Sequence, residues 1–235
     1  MTKGSKPGGV AGGRRHAAVR IKGGKAHKPS SREWLQRQLN DPYVHEAKRV
    51  GYRSRAAFKL VELDDKLKLL KPGQRVADLG AAPGGWTQIA VARTKALEGR
   101  GKVVAIDLQA IDPIPGATIL QGDMSDPDSD ARVIEALGGP ADIVLSDMSP
   151  ATSGHGQTDH IRIVALVEAA ADFALRHLAP GGAFVAKVFS GGTEQQLLLQ
   201  LKKSFDTVRH VKPPASRKES AEIYLVATGY KGAAG

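Results

Sequence analysis

The apolar residues of the chain fall in short blocks that switch between two periods. Val76 to Leu79, Lys102 to Ile106, Ala117 to Gln121, Ala141 to Ser146 and Ala183 to Phe189 are brief runs rich in apolar and β-branched residues. Gly, Pro or Asp bounds them, so they read as buried strands. Phe205 to Val211 and Glu222 to Gly229 read as two more. Between the strands the period lengthens. Ser54 to Leu70 places Ala57, Leu60, Val61, Leu67 and Leu70 at helical spacing, and further helices are predicted over Trp86 to about Leu97, Asp128 to Leu137, Thr158 to Leu178 and Gly191 to about Lys203. Lys71-Pro72-Gly73, Glu98-Gly99-Arg100-Gly101 and Pro180-Gly181-Gly182 supply the stops. Upstream, Ser30 and Ser31 cap a short helix that runs through Leu39 and ends at Asp41-Pro42. Tyr43 to Tyr52 is mixed and basic and suggests no element. Alternating strands and helices predict an α/β fold: a doubly wound, mostly parallel sheet with helices on both faces.

The stretch from Asp78 to Trp86 carries the first chemical signal. Asp78 and Leu79 end a buried strand, Gly80-Ala81-Ala82-Pro83-Gly84-Gly85 is a turn of small residues, and Trp86 opens a helix. A strand, a glycine turn and a helix N-terminus form a nucleotide pocket, because backbone N–H groups point inward and no side chain blocks close approach. The dinucleotide fingerprint G-x-G-x-x-G is absent. A Pro in the loop and an acid on the strand suit a ligand with a cationic amino-acid part, such as S-adenosylmethionine. An ordinary strand-to-helix turn is the bland alternative. Asp107, ending the second strand, stands where an acid takes ribose hydroxyls in nucleotide-binding α/β folds. Asp123 and Met124, after the third strand, are placed to accept from an adenine amino group and to pack on its ring.

Composition narrows the class. A chain of 235 residues that is 41% hydrophobic fits one α/β domain plus an appendage. Cys is absent, which excludes disulfides and thiolate metal sites. No apolar run approaches the roughly 18 residues of a membrane span, and the basic N-terminus lacks the apolar core of a secretory signal. The expectation is a soluble, cytoplasmic monomer without a membrane partner. The net charge of +10 is concentrated at one end: residues 1–30 hold eight Lys and Arg and no acid. This Gly-rich arm cannot bury enough surface to fold alone and reads as a disordered polyanion-binding segment, ahead of a domain over 31–231. A solubilising tail is the alternative.

Four charges sit where apolar residues are expected. Lys59 follows Phe58 and precedes Leu60, Asp147 ends the fourth strand, Lys187 interrupts the fifth and Glu222 opens the last. A buried charge is costly unless paired, and two lysines can pair with two carboxylates. A structural ion-pair network without chemistry would show the same residues.

These pieces together carry a resemblance. Ser54-Arg55-Ala56-Ala57-Phe58-Lys59-Leu60, Asp78 to Trp86, Ser146-Asp147-Met148-Ser149-Pro150, Val185-Ala186-Lys187-Val188-Phe189 and Glu222 to Gly229 resemble the RrmJ/FtsJ family of ribose 2′-O-methyltransferases, over about Ser31 to Lys231. The resemblance implies a Rossmann-like methyltransferase fold with seven strands, the last antiparallel. It implies a catalytic tetrad of Lys59, Asp147, Lys187 and Glu222, and S-adenosylmethionine held by Gly84, Trp86, Asp107, Asp123 and Asp147. It also implies a uridine of 23S rRNA in the large ribosomal subunit as target. The strand and loop reading adds Asp78, Gly80, Gly85 and Met124 to the donor site. The long arm and Glu219, an acid where the family usually has a basic residue, depart from the pattern.

In such a reaction a ribose hydroxyl attacks the methyl carbon in line with the departing sulfur, and positioning supplies much of the rate. Lys187 is the candidate proton acceptor, which requires its pKa to be lowered, or it stays charged and stabilises the developing alkoxide. Neither route needs a metal. A methyltransferase acting on tRNA or an mRNA cap, and a non-catalytic RNA-binding assembly factor, are the competing readings.

Overall fold

The computed structural model describes residues 29–150, 156–190 and 195–232. Nearly all of the basic arm, Ala151 to His155 of the polar, Gly-containing loop that the sequence predicts over Ala151 to Gln157, and the Gly191-Gly192-Thr193 helix start lie outside the described residues. The chain falls into two units, residues 1–45 and 46–235. The first contains helix α1, Pro29–Asn40, and the start of α2, Pro42–Val50. Helix α2 stands in the stretch for which the sequence suggested no element. Asp41-Pro42 is a stop signal for the preceding helix, but it is equally a start. Asp41 Oδ1 accepts the Tyr43 N–H at 3.0 Å, and Pro42 occupies the first helical position, where its missing N–H costs nothing.

The second unit is built on seven strands: β1 Arg75–Leu79, β2 Lys102–Asp107, β3 Ala117–Gln121, β4 Ala141–Ser146, β5 Leu178–Phe189, β6 Phe205–Val211 and β7 Glu222–Tyr230. Their order in the sheet is β3-β2-β1-β4-β5-β7-β6, and only β7 runs antiparallel to its neighbours. Helices α3 Ala56–Leu67, α4 Gly85–Thr94, α5 Pro127–Leu137, α6 Gly156–His177 and α7 Gln195–Ser204 link them. Helix α3 is shorter than its apolar spacing predicts. Lys68 adopts a left-handed conformation and ends it, and buried Asp64 accepts the Leu70 N–H at 2.7 Å, holding Leu69 and Leu70 inward beyond the helix. A 3-10 turn, Ala96–Glu98, likewise detaches the end of the predicted Trp86–Leu97 helix. Strand β5 starts earlier than expected, with Leu178 opposite Ala141 and a register shift that takes up Pro180 to Gly182.

Successive strand residues face opposite ways, and both faces are covered. On one face Ala77, Val104, Val144 and Phe184 pack with Val133 of α5, Phe173 of α6 and Leu201 of α7. On the other, Val76, Ile143, Val185 and Tyr224 pack with Leu60 and Leu63 of α3 and Trp86 and Ile89 of α4. Burying each Leu- or Phe-sized side chain contributes about 1.5–3 kcal/mol, which is why these strands read as nearly continuous apolar runs. The chain winds from β1 towards β3 on one side and from β4 towards β6 on the other. The crevice therefore opens at the carboxyl ends of β1 and β4, where Asp78 and Asp147 emerge.

Candidate active site

The glycine turn connects β1 to α4. Gly80 and Gly84 have φ of +71° and +105°, a backbone that L side chains rarely adopt. A Cβ on Gly80 would stand 2.2 Å from Met148 Cγ, and one on Gly84 would stand 2.5 Å from Ile114 Cδ1. Gly85 is closed in by Ser54, whose Oγ would lie 2.5 Å from an added Cβ. Asp107 ties the turn to β2: its Oδ2 accepts the Ala82 N–H at 2.9 Å and its Oδ1 the Gln109 N–H at 2.8 Å. Arg53 ties it from the other side, donating to the carbonyls of Pro83, Asp112 and Pro113 at 3.2, 2.7 and 2.7 Å. The sequence reading did not single out Arg53.

Asp78 is fully buried beneath this turn. Its Oδ2 accepts the Thr87 hydroxyl at 2.6 Å, whereas Oδ1 has no partner among the described residues. Burial, only partly countered by the Thr87 hydrogen bond and reinforced by the charges of Asp147 and Asp107, pushes its pKa up to about 7. An orphaned carboxylate oxygen fits a ligand that brings its own cation, and the glycines let the turn pack tightly against Met148, Ile114 and Ser54. Trp86 occupies a different place from its neighbours: 2% exposed, it donates its indole N–H to Ala56 O at 2.8 Å and lies 5.5 Å from the Tyr224 ring. Its side chain packs α3, α4 and β7 together. Asp123, exposed beyond β3, is held ionised by the N–H and hydroxyl of Ser125, and half-buried Met124 packs on the core.

The four displaced charges converge at the same end of the sheet. Because β7 is antiparallel, its first residues meet the last residues of β5: Glu222 lies opposite Phe189 and Tyr224 opposite Lys187. Lys187 Nζ donates to the Asp147 carbonyl at 2.8 Å and stands 3.5 Å from Asp147 Oδ1. Lys59, carried by α3 and almost wholly buried, places Nζ 2.8 Å from both carboxylate oxygens of Glu222. Tyr224 joins the two pairs, donating its hydroxyl to Asp147 Oδ1 at 2.9 Å with Glu222 Oε1 at 3.4 Å. Burial works to raise the Glu222 carboxyl; the charge and hydrogen bond of Lys59, the Ser216 hydroxyl and the charge of Lys187 outweigh it and hold it below the usual range. Burial, together with the carboxylates of Asp147 and Glu222, raises the Tyr224 phenol well above its ordinary value, so it remains a donor.

Tyr224 and Ser216 were not marked as site residues. Ser216 is 3% exposed and donates Oγ to Glu222 Oε1 at 2.8 Å. It is held there because Ala215 is clamped onto α3, its N–H bonded to Glu62 Oε2 at 2.6 Å and its carbonyl to Arg55 at 2.7 Å. The Lys212–Glu219 segment reads from sequence as a basic, solvated loop. Instead, Lys212 Nζ closes it on the carbonyls of Lys218 and Ser220.

Comparison with known proteins agrees with this geometry. The sequence model of the FtsJ-like methyltransferase family matches residues 52–230. Ribosomal RNA large subunit methyltransferase E of Paramagnetospirillum magneticum is 64% identical over 226 residues, covering 95% of this chain and 93% of that protein. The protein of the same name from Acidiphilium cryptum is 60% identical, covering 94% and 96%. Among solved structures, a Plasmodium falciparum chain described as a ribosomal RNA methyltransferase is 33% identical, with a TM-score of 0.68 over 77% of this chain and 100% of that one. The chain belongs to the FtsJ-like methyltransferase family.

Proposed function

We propose that this protein transfers the methyl group of S-adenosylmethionine to the ribose 2′-hydroxyl of a uridine in 23S rRNA of the large ribosomal subunit, acting as a cytoplasmic monomer. The observation that carries the reading is the convergence of Lys187, Asp147, Lys59 and Glu222 beside the Gly80–Gly85 turn, in a chain whose relatives are named for large-subunit rRNA methylation. When bound, S-adenosylmethionine supplies an electrophilic methyl on a sulfonium. The fit rests on the unpartnered Asp78 oxygen for the ammonium, the backbone of the Gly80–Gly85 turn ahead of α4, and Asp107 for ribose hydroxyls. Asp123 and Met124 take the adenine side.

Lys187 is the group that holds the acceptor. An ammonium has three N–H donors, and the described residues engage it through one residue, Asp147, leaving a donor for the ribose oxygen. The carbonyl and the carboxylate of Asp147 hold Lys187 Nζ in place. It orients the hydroxyl and offsets the negative charge that builds on its oxygen as the hydroxyl proton passes to water. Tyr224 fixes the Asp147 carboxylate, and the Lys59–Glu222 pair walls the site. The retained constellation argues for a working enzyme over a silent assembly factor, since a protein that only binds RNA gains nothing from burying Lys187. The test is transfer of labelled methyl from S-adenosylmethionine to large subunits from a methylase-deficient strain, beside tRNA and capped mRNA, with the product nucleotide identified. Label in ribose 2′-O-methyluridine of 23S rRNA is expected; label only in tRNA or cap, or none, overturns the reading.

A further inference from the structure

The strands other than β7 begin at the end of the sheet opposite Asp78, Asp147 and Lys187, and there cations predominate. Two hollows that share Asp142 open on this face. Lys68, Lys71 and Arg209 line one, of about 220 Å³. Arg75, Arg100 and Lys102 line the other, of about 460 Å³. Asp142 is the one acid in either lining, and its Oδ2 already accepts the Arg75 backbone N–H at 2.7 Å.

None of the six cationic side chains has a hydrogen-bond or ion-pair partner among the described residues. Most other arginines of the domain are engaged: Arg49 with Glu46, Arg93 with Asp65, Arg176 with Asp130 and Asp172, Arg53 and Arg132 with carbonyls; exposed Arg162 is an exception among the described residues. Arg75 and Lys102 are direct register partners on adjacent parallel strands, a placement in which like charges repel. Part of the cluster has an internal explanation. Lys68 is the C-cap of α3, and Lys102 and Arg75 lie beside Gly138 and Gly139 at the end of α5, where helix dipoles favour cations. Arg209, in the edge strand β6, and Lys71 and Arg100, in turns, have none.

We propose that this face is a second docking surface for the RNA sugar-phosphate backbone, occupied by a stretch of the substrate distant from the target nucleotide. Unpartnered guanidinium forks match phosphate oxygens two at a time. The five residues of β1, at about 3.3 Å each, put Arg75 and Lys102 on the order of 15 Å from the methyl-transfer end, beyond the roughly 8 Å screening length at physiological salt, whereas Arg209, level with Leu145 by register, joins this face as part of the lining of its hollow. It therefore grips a separate segment and leaves the reacting nucleotide unaffected. The inference rests on the reading of the substrate as rRNA.

The test uses the full chain carrying K71Q, R100Q and R209Q, chosen because these side chains lie away from the ends of α3 and α5. Binding to 23S rRNA is measured from 50 to 300 mM salt, with methylation of large subunits in parallel. The dissociation constant should rise about tenfold, and the log–log salt slope should flatten by about 2 to 3, at roughly 0.7–0.9 per lost phosphate contact. The rate at saturating RNA, the affinity for S-adenosylmethionine and the melting temperature should stay at wild-type values. The charge-preserving set K71R, R100K and R209K should keep the wild-type slope and lose clearly less affinity than the Gln set. An unchanged affinity and slope in the Gln set overturns the proposal, as would be found if the face meets an acidic protein instead. Equal losses in both sets also overturn it, because they trace to packing. A wild-type protein that binds 23S rRNA with this salt dependence yet fails to methylate it would count against the proposed function and leave the docking surface standing.

Discussion

Asp78→Asn removes the ionisation of the one fully buried acid beneath the glycine turn while keeping an oxygen for the Thr87 hydroxyl. The folded-state pKa of Asp78 is about 7, against an ordinary value of 3.8. Because it is raised, the folded protein holds a proton that the unfolded chain gives up. The resulting stabilisation is fully present below pH 3.8 and is lost as pH rises through 7. At about 1.4 kcal/mol per tenfold, the whole effect is about 4 kcal/mol, of which about 2.5 kcal/mol disappears between pH 5 and pH 8. Urea unfolding of both proteins across that range should show the stability of the wild type relative to Asp78→Asn falling by this amount as pH rises. The same proton opposes binding of a cationic ligand. At pH 6 about nine in ten molecules carry it, so S-adenosylmethionine binding should release about 0.9 proton, read by calorimetry in buffers of different ionisation enthalpy. The Asn variant should release none from this site and bind weakly at every pH. A stability difference constant to within about 0.5 kcal/mol from pH 5 to pH 8, with no proton release, would refute the reasoning.

Four further outcomes follow from the site. Lys187→Ala should lower methyl transfer by about a hundredfold or more while donor affinity stays within about twofold; turnover within about tenfold of wild type, roughly 1.4 kcal/mol of barrier, would remove its catalytic role. Glu222→Ala strips buried Lys59 of its partner, so methylation should slow and stability fall by about 3 kcal/mol, whereas exposed Glu219→Ala should act mainly on RNA affinity, raising it. Both variants assayed on one RNA at fixed salt decide this, and Glu219→Ala as the slower catalyst would reverse the assignment. Ser216→Ala removes a hydrogen bond that lowers the Glu222 carboxyl, so the acid limb of the pH–rate profile should move to higher pH; an unmoved limb makes Ser216 a packing residue. Gly80→Ala forces a Cβ against Met148 at a positive φ and should cost about 2 kcal/mol in chemical denaturation, together with donor affinity. Wild-type stability in this variant would mean that the turn relaxes freely.

The strands and most helices were legible because a sheet covered on both faces writes itself as apolar blocks separated by turn residues. What misled is instructive. Asp41-Pro42 serves equally as an end and a beginning, so α2 was missed. Leu69 and Leu70 keep helical spacing although Lys68 has already ended α3, because burial and not the helix holds them. Lys59, Asp147, Lys187 and Glu222 announced themselves as charges in apolar surroundings. Tyr224 and Ser216 could not, since an apolar-faced Tyr in a strand and a Ser in a basic loop are ordinary. The Tyr224 hydroxyl meets Asp147 only because β7 inserts beside β5, and Ser216 reaches Glu222 only because Arg55 and Glu62 clamp Ala215. A Tyr two residues after the acid, on the same strand face, was the signal available for the first.

The insertion of β7 between β5 and β6 also bears on when the protein becomes able to act. The donor side uses β1, β2, β3 and the turn at Gly80, with Asp147 just after β4, a stretch finished by residue 147. The acceptor side closes with Glu222 and Tyr224, and the Lys59–Glu222 pair spans 163 positions of chain. During synthesis, which proceeds from the N-terminus, a nascent chain can shape its donor pocket long before β7 leaves the ribosomal tunnel. Until then Lys59 lacks its carboxylate and β5 has a bare edge. Completion of the acceptor side thus waits on β7, the last strand of the sheet to be made. A chain interrupted before β7 would carry the pocket for the donor without the machinery for the acceptor.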